Sequence, residues 1–330
     1  MLGYAFCCVA AQLVGGAAFA SSEGVMACDG LAATWMSARP EAPAAIFVPG
    51  QGPITRNGDQ AGLIHSTALF LATDLLKAEM SALIFDKRGI GASGIGSGKP
   101  WDESTMIEEA NDIRCLVRWV IENKQPSSVT LIGYNDGNIV AAMAATAGVD
   151  GIVMLPVFEG SASDMADDLR RGGLAEPAVA EIERAVASRL RGETATYSFP
   201  TLHRVVATIV KRIRSMRPPF DQIDVVARLD MPVLLVGAGR DFETSRTKFK
   251  RLAEAAPGAS IFYEPNMSGF LRTYAADCPD SCQRKRLPSS DPLDPGAVAA
   301  ISSFVACGKV GTNATSCHAN SPAQSARVDD

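Results

Sequence analysis

Short apolar runs rich in valine, isoleucine, leucine and phenylalanine recur along the chain, separated by longer stretches of helical periodicity. This alternation is typical of a parallel sheet whose strands are connected by helices. Strands are predicted at residues 44–48, 81–85, 128–132, 151–155, 232–236 and 259–263. Helices are predicted at about 62–79, 104–123, 137–147, 245–256 and 295–306. The pattern predicts an α/β fold, with ligands bound where the strands end in Gly, Pro or Asp.

A charged, helical insert at about residues 160–227 interrupts this alternation. Between two strands of an α/β sheet, such an excursion usually packs as a cap over the carboxyl edge. The alternative is a peripheral pair of helices that does not contact the site. Residues 308–330 are small and polar, so we expect a disordered tail. One domain is therefore expected over residues 21–307.

Composition excludes several functional classes. The 330 residues are 47% hydrophobic and 20% charged, which is enough to bury a substantial core. A formal net charge of -5 provides no broad basic surface, although Lys and Arg cluster at residues 204–217. Gly89–Gly94 spells a dinucleotide fingerprint, but Pro100 stands where its helix should begin. We predict no nucleic-acid partner, no cofactor and no metal.

The first twenty residues have the features of an exported protein. They carry no charge, are mostly small and apolar, and end in Ala18-Phe19-Ala20, an A-x-A cleavage signature. The alternatives are a buried helix or a membrane anchor, but the apolar run is short for a bilayer span. We expect a signal peptide at residues 1–20, a periplasmic or secreted protein, and no membrane span after cleavage.

Six cysteines follow the predicted cleavage site. An even number of cysteines in an exported protein suggests disulfides. The local pairs Cys278–Cys282 and Cys307–Cys317 are the simplest connectivity. That choice leaves Cys28 and Cys115 either to pair with each other or to remain reduced.

A tight turn joins the third predicted strand to a helix of small residues. It reads Gly133-Tyr134-Asn135-Asp136-Gly137. The turn matches the nucleophile elbow G-x-S-x-G, in which small residues two before and two after the nucleophile allow a strained backbone. Asn135 stands at the centre. A carboxamide has no oxygen that a base can activate at neutral pH, unlike a serine or cysteine.

Four segments together resemble the α/β-hydrolase superfamily, particularly its bacterial serine-aminopeptidase-like hydrolases, over about residues 44–306. These segments are Phe47–Pro53 with the turn Arg56–Asp59, Phe85–Ser93, the elbow Gly133–Gly137, and Pro232–Asp241. The resemblance implies an α/β-hydrolase fold, with a mostly parallel central sheet, helices on both faces and a helical cap. It also implies that Gly50, Gln51, Gly52 and the backbone N–H of Asp136 form the oxyanion site.

The same resemblance implies two losses in the catalytic triad. The acid is retained as Asp241, but Gly269 occupies the position of the histidine and Asn135 that of the nucleophile. The family mechanism needs a base to remove the proton of the nucleophile and an acid to orient that base. Without both groups, only the contributions of oxyanion donors and substrate binding remain.

Several replacements for the missing groups stay open. Asp136 or Ser268 would have to act in catalysis, Asn135 would have to deamidate, or His65 or His203 would have to enter the site as the base.

Three functions remain open. The first is a non-catalytic binder of a small apolar or acyl-type ligand or of a partner protein. The others are an ester or amide hydrolase of unusual arrangement and a structural descendant in which Asn135 caps its helix.

Overall fold

The structure is a computed structural model of the chain. It describes residues 21–50, 52–60, 64–94, 101–156, 169–170, 173–199, 202–203, 205–207, 209–210, 222–241, 246–278 and 289–307. The expected signal peptide, the expected tail, Gln51 and parts of the expected cap lie outside these residues. The assignments of those segments stay predictions.

The described residues form an eight-stranded sheet in the order β1-β2-β4-β3-β5-β6-β7-β8. The strands are β1 (Ser21–Ala27), β2 (Leu31–Ser37), β3 (Ala44–Val48), β4 (Ser81–Phe85), β5 (Val129–Tyr134), β6 (Gly151–Leu155), β7 (Val233–Ala238) and β8 (Ser260–Glu264). Strands β3 to β8 pair in parallel, whereas β1 and β2 form an antiparallel hairpin that joins β4. The mostly parallel sheet expected from the sequence is confirmed.

The hairpin of β1 and β2 is the part of the sheet that the sequence analysis missed. Strand β1 is exposed along most of its length, so it lacks the apolar run that identifies the other strands. The sequence signal that could have indicated the hairpin is its turn, which contains Asp29 and Gly30. In the structure Cys28, Asp29 and Gly30 have positive φ angles of 47°, 56° and 96°. Such backbone favours glycine and short polar residues.

Helices cover both faces of the sheet. They are α1 (Thr67–Lys77), α2 (Met106–Lys124), α3 (Gly137–Ala144), α4 (Glu176–Leu190), α5 (Gln222–Ala227), α6 (Arg246–Ala255) and α7 (Pro295–Cys307). One apolar cluster joins a face of the sheet to α2, α3, α5 and α6. A second joins the opposite face to α1 and α7. The helices expected on both faces of the sheet are thereby confirmed, and the central strands β3 to β7 are buried on both faces.

Helix α4 belongs to the predicted insert and has an apolar cluster of its own. Ile182 and Val186 pack there with Leu202, Val206 and Val210. The insert is therefore helical in this part, while its position over the carboxyl edge stays a prediction. In the described part of the chain, no helix combines the length and apolarity needed to cross a bilayer.

A disulfide ties the N-terminal hairpin to the body of the domain. Cys28 in the β1–β2 turn is bonded to Cys115 in α2, with their Cα atoms 5.8 Å apart and 87 positions apart in sequence. Of the two alternatives that the sequence left open, these two cysteines pair with each other and do not remain reduced. Cys282 and Cys317 lie outside the described residues, so the two local pairs stay predictions.

Removing this cross-link should destabilise the domain. We expect Cys28→Ala/Cys115→Ala to lower the free energy of unfolding by about 2–5 kcal/mol, because the bond closes a long loop and restricts the unfolded chain. Urea denaturation of the unreduced proteins would measure the difference. Peptide mapping without reductant should recover the linked peptides, and alkylation of both thiols in unreduced, unfolded wild type would contradict the assignment.

Candidate functional site

The strand β5, the turn after it and helix α3 form the elbow expected from the sequence. Asn135 has a φ of 53°, in the left-handed region, and its N–H donates to the carbonyl of Leu155 at 2.6 Å. A Cβ on Gly133 would lie 2.7 Å from the Cα of Asn138, and a Cβ on Gly137 would lie 2.2 Å from the carbonyl oxygen of Val48. Only glycine fits at these two positions.

The loop after β3 approaches this elbow closely. A Cβ on Gly50 would lie 2.9 Å from the carbonyl oxygen of Tyr134, 3.4 Å from Cβ of Asn135 and 3.7 Å from the backbone N of Asp136. The structure therefore brings together Gly50, Asn135 and Asp136, three of the residues assigned to the site. The backbone N–H of Asp136 is at the start of α3, where helix geometry favours developing negative charge.

The other two residues of the expected oxyanion loop are placed differently. Gly52 has a φ of 107°, and a Cβ there would lie 3.2 Å from Oε1 of Gln60. Its nearest described neighbours thus belong to its own loop and not to the elbow. Gln51 lies outside the described residues. An oxyanion role for either residue stays a prediction.

Three consecutive charged residues after β4, Asp86-Lys87-Arg88, hold the surroundings of the elbow; we call them the charged triplet. The carboxylate of Asp86 accepts from the backbone N–H of Arg56 at 2.8 Å and from its guanidinium at 2.5 and 3.1 Å. The buried Nζ of Lys87 donates to the carbonyl of Gly50 at 2.9 Å and forms an ion pair with Glu109 at 3.2 Å. Lys87 therefore fixes the backbone of the Gly50 loop.

The third member of the triplet anchors helix α2. The guanidinium of Arg88 forms an ion pair with Asp112, one turn from the residue that binds Lys87. Burial raises the pKa of the Asp112 carboxyl, while the hydrogen bond from Arg88 opposes that rise. The sequence matched this segment to a family motif but did not indicate these partners, which lie more than twenty positions away.

Asp241 and Gly269 meet at the ends of β7 and β8. A Cβ on Gly269 would lie 3.0 Å from Oδ1 and 3.1 Å from Cγ of Asp241, and its three nearest heavy atoms all belong to this carboxylate. The acid and the position assigned to the histidine are thus neighbours, as the resemblance implies. A histidine at 269 would require the carboxylate to move by a few tenths of an ångström.

A network of backbone hydrogen bonds orders the turn that carries Gly269. The N–H of Ser268 donates to the carbonyl of Arg272 at 2.8 Å, and the N–H of Leu271 donates to the carbonyl of Ser268 at 3.0 Å. The N–H of Arg240, beside Asp241, donates to the carbonyl of Met267 at 2.8 Å. The two turns therefore hold each other without any contribution from a side chain at 269.

Arg272 is a buried cation that the sequence analysis did not single out. Its side chain donates to the carbonyls of His65, Phe270, Ser289 and Asp291 and to the hydroxyl of Thr67. Burial lowers the pKa of this guanidinium. Because five donors meet five neutral oxygens, Arg272 joins the turn after β8 to the start of α1.

His65 lies between the elbow and the turn that carries Gly269. Its ring stacks on Phe270, next to Gly269, with centroids 4.3 Å apart, and on Tyr134, next to Asn135, at 6.2 Å. Its Nδ1 lies 3.0 Å from Oγ1 of Thr67. The sequence offered His65 only as one replacement base among several. The other, His203, packs edge-on against Tyr197 in the insert.

A small cavity of about 30 Å³ adjoins the elbow, with room for about two water molecules. Its lining is mostly apolar, with His65, Thr67 and Tyr134 among its polar members. The apolar lining residues include Phe47, Val48, Ile54, Phe85 and Leu155. In the described ranges of the chain, no cluster of three or more His, Cys, Asp or Glu side chains is arranged to hold a metal ion.

No protein-family model matches the sequence, and no curated protein matches it either. The structure resembles an esterase from Pyrococcus furiosus with a TM-score of 0.51 and 14% identity, over 77% of this chain and 87% of that chain. It also resembles a proline iminopeptidase from Mycobacterium smegmatis with a TM-score of 0.53 and 13% identity, over 86% and 97% of the two chains. At these identities the likeness establishes the fold alone, and it confirms the α/β-hydrolase fold that the motifs predict.

Adding one methyl group to the elbow should test its close packing. We expect Gly137→Ala to lower the free energy of unfolding by about 2–3 kcal/mol, because the new Cβ overlaps the Val48 carbonyl, even though alanine is the better helix former. In the matched control Gly24→Ala, nothing lies within 4 Å of the added Cβ. That variant should change stability by less than about 1 kcal/mol. Equal effects in urea denaturation would contradict the elbow geometry.

Proposed function

We propose that this chain, which has the α/β-hydrolase fold, does not hydrolyse substrates by a triad and instead binds a small, largely apolar ligand beside its elbow. The observation that carries the proposal is the contrast at Asn135. The strained turn, the glycines around it and the approach of Gly50 are all present. At the centre of this arrangement stands a carboxamide, which is no nucleophile.

The environment of Asp241 supports the same conclusion. A triad acid acts only by orienting and stabilising a histidine, and the position beside this carboxylate is Gly269. Loss of triad members leaves the roughly 10³–10⁴-fold contribution of oxyanion donors and binding. Slow residual turnover of activated esters is compatible with the proposal, whereas efficient turnover is not.

The cavity at the elbow supports a ligand with a slender apolar end. Its volume of about 30 Å³ is too small for a ring and suits the end of a short alkyl or acyl chain. Burying one methylene group contributes about 0.8 kcal/mol, so even a short chain gains useful affinity. The hydroxyl of Thr67 and the ring of His65 supply polar contacts at the same wall.

Export belongs to the proposal as well. The A-x-A signature at residue 20 supports cleavage there. The bond between Cys28 and Cys115 supports an oxidising compartment, because such bonds are rare where thiols are kept reduced. We therefore propose a periplasmic or secreted location. Mass spectrometry of the protein from its native host would identify the mature N-terminus.

Restoring the two missing groups should create an esterase. We expect wild type to leave p-nitrophenyl butyrate essentially unhydrolysed and Asn135→Ser/Gly269→His to turn it over, because the elbow and the acid are already in position. The release of p-nitrophenolate measures both. The matched control, Asn135→Ser/Gly269→His/Asp241→Asn, should be about 100-fold slower or more than the double variant, because the histidine loses its orienting acid.

Two results would count against the proposal. Efficient turnover by wild type that survives Asn135→Ala would mean that a different nucleophile works in this protein. A double variant that folds normally but stays inactive, with the triple variant no slower, would mean that Asn135, Gly269 and Asp241 are not the triad positions.

A second candidate function is an ester or amide hydrolase that uses Thr67 and His65. The pair is favoured by one observation: Nδ1 of His65 lies 3.0 Å from Oγ1 of Thr67, and both side chains line the cavity. The hydroxyl also lies 3.3 Å from the carbonyl of Phe270. Since a hydroxyl has one proton, donation to that carbonyl competes with donation to the imidazole.

The variant Thr67→Val separates the two candidates. If Thr67 is a nucleophile, any esterase activity of wild type should fall to the buffer rate in Thr67→Val and stay unchanged in Asn135→Ala. Under the binding proposal, neither variant changes an already negligible rate. Thermal unfolding should accompany the assay, because Thr67 also accepts from Arg272 at 3.4 Å and its loss costs about 1 kcal/mol of stability.

A further inference from the structure

A second cavity, of about 210 Å³, lies at the amino edge of the sheet, where Ser81 begins β4. The elbow lies at the opposite edge, after the end of β5. The cavity is formed by the hairpin of β1 and β2, the last turn of α2 and the connection between β2 and β3. It has room for roughly ten or more water molecules, and therefore for a small organic molecule. Four charged residues line it: Glu23, Arg39, Glu41 and Lys124.

Two of these four charges are paired with each other. Lys124, at the end of α2, forms an ion pair with Glu23 of β1. Its ammonium group also lies 5.9 Å from the ring centroid of Trp35 and 5.3 Å from that of Trp119. The charges of Lys124 and Glu23 are therefore already balanced within the protein.

Arg39 and Glu41 differ from that pair. Both side chains are exposed, so a dissolved molecule can reach them. Neither side chain has a hydrogen bond or ion pair to any residue that the structure describes. The cavity thus offers one available positive group and one available negative group, and its four charges cancel. Such a lining favours a ligand that carries both signs over a simple cation or anion.

The backbone that carries these two side chains is held in place. The N–H of Ala42 donates to the carbonyl of Arg39 at 3.2 Å, which closes a β-turn with Pro40 at its second position. The N–H of Ser127 donates to the carbonyl of Glu41 at 3.1 Å and ties the turn to the start of β5. Because the turn is fixed, binding a molecule between the two side chains costs less ordering of the chain.

We propose that this cavity binds a small zwitterion of the α-amino acid class, with its carboxylate on Arg39 and its ammonium group on Glu41. A guanidinium presents a planar set of N–H donors that matches a carboxylate. A carboxylate accepts from the N–H groups of an ammonium ion. One ligand of this class gives both side chains a partner and leaves the net charge of the cavity unchanged. The site is separate from the elbow and does not depend on the function proposed above.

L-Alanine is the probe that tests the inference. Its titration into wild-type protein, followed by ligand-observed NMR, should show saturable binding. Propionate lacks the ammonium group and ethylamine lacks the carboxylate. Each should bind about tenfold more weakly or worse, the loss expected for one charge-assisted contact. Arg39→Gln and Glu41→Gln should each weaken L-alanine binding by a similar factor, because each variant neutralises one of the two groups that hold the ligand.

A matched pair of glycine variants separates binding from stability. Glu41 and Glu79 are both exposed and have positive φ angles of 57° and 60°, where glycine is favoured. Glu41→Gly and Glu79→Gly should both raise the midpoint of urea unfolding. Only Glu41→Gly should lose L-alanine binding, because Glu79 lies outside the lining of the cavity. The inference is overturned if wild type shows no saturable binding, if propionate or ethylamine binds as tightly as L-alanine, or if Glu41→Gly and Glu79→Gly bind L-alanine equally.

Discussion

The charged triplet at residues 86–88 is the constraint on which the carboxyl edge of the sheet depends. Asp86 fixes the turn at Arg56, Lys87 binds the Gly50 loop and Glu109, and Arg88 anchors α2. These ion pairs are largely buried, where an unpaired charge costs about 3–5 kcal/mol. The three ion pairs must therefore form together, and the turn at Arg56, the Gly50 loop and helix α2 have one arrangement relative to one another.

The elbow and the Gly50 loop approach each other so closely that there is no space for a side chain at Gly50 or Gly137. The carbonyl of Val48 occupies the space of a Cβ on Gly137, and the carbonyl of Tyr134 crowds one on Gly50. This contact between two backbone segments does not require any particular side chain at position 135. The scaffold of a nucleophile elbow can consequently survive after the nucleophile itself has been replaced, which is the situation that we propose here.

The acid side of the site shows the same independence. Backbone hydrogen bonds hold Asp241 and the turn of Gly269, and Arg272 ties that turn to the segment around His65. A histidine is not needed to shape this region. His65 stacks on Phe270 and Tyr134, which are adjacent to Gly269 and Asn135, so aromatic contact connects the acid turn with the elbow.

The sequence by itself determined the positions of strands β3 to β8 along the chain, the elbow and the identity of the residue at its centre. Local periodicity and turn chemistry encode these features. The hairpin of β1 was missed because an exposed strand lacks an apolar run. Only the tertiary structure decided that Lys87 binds Gly50, that Arg272 is buried and that His65 bridges the site. Their partners are distant in the chain, so nothing in the local pattern specifies them.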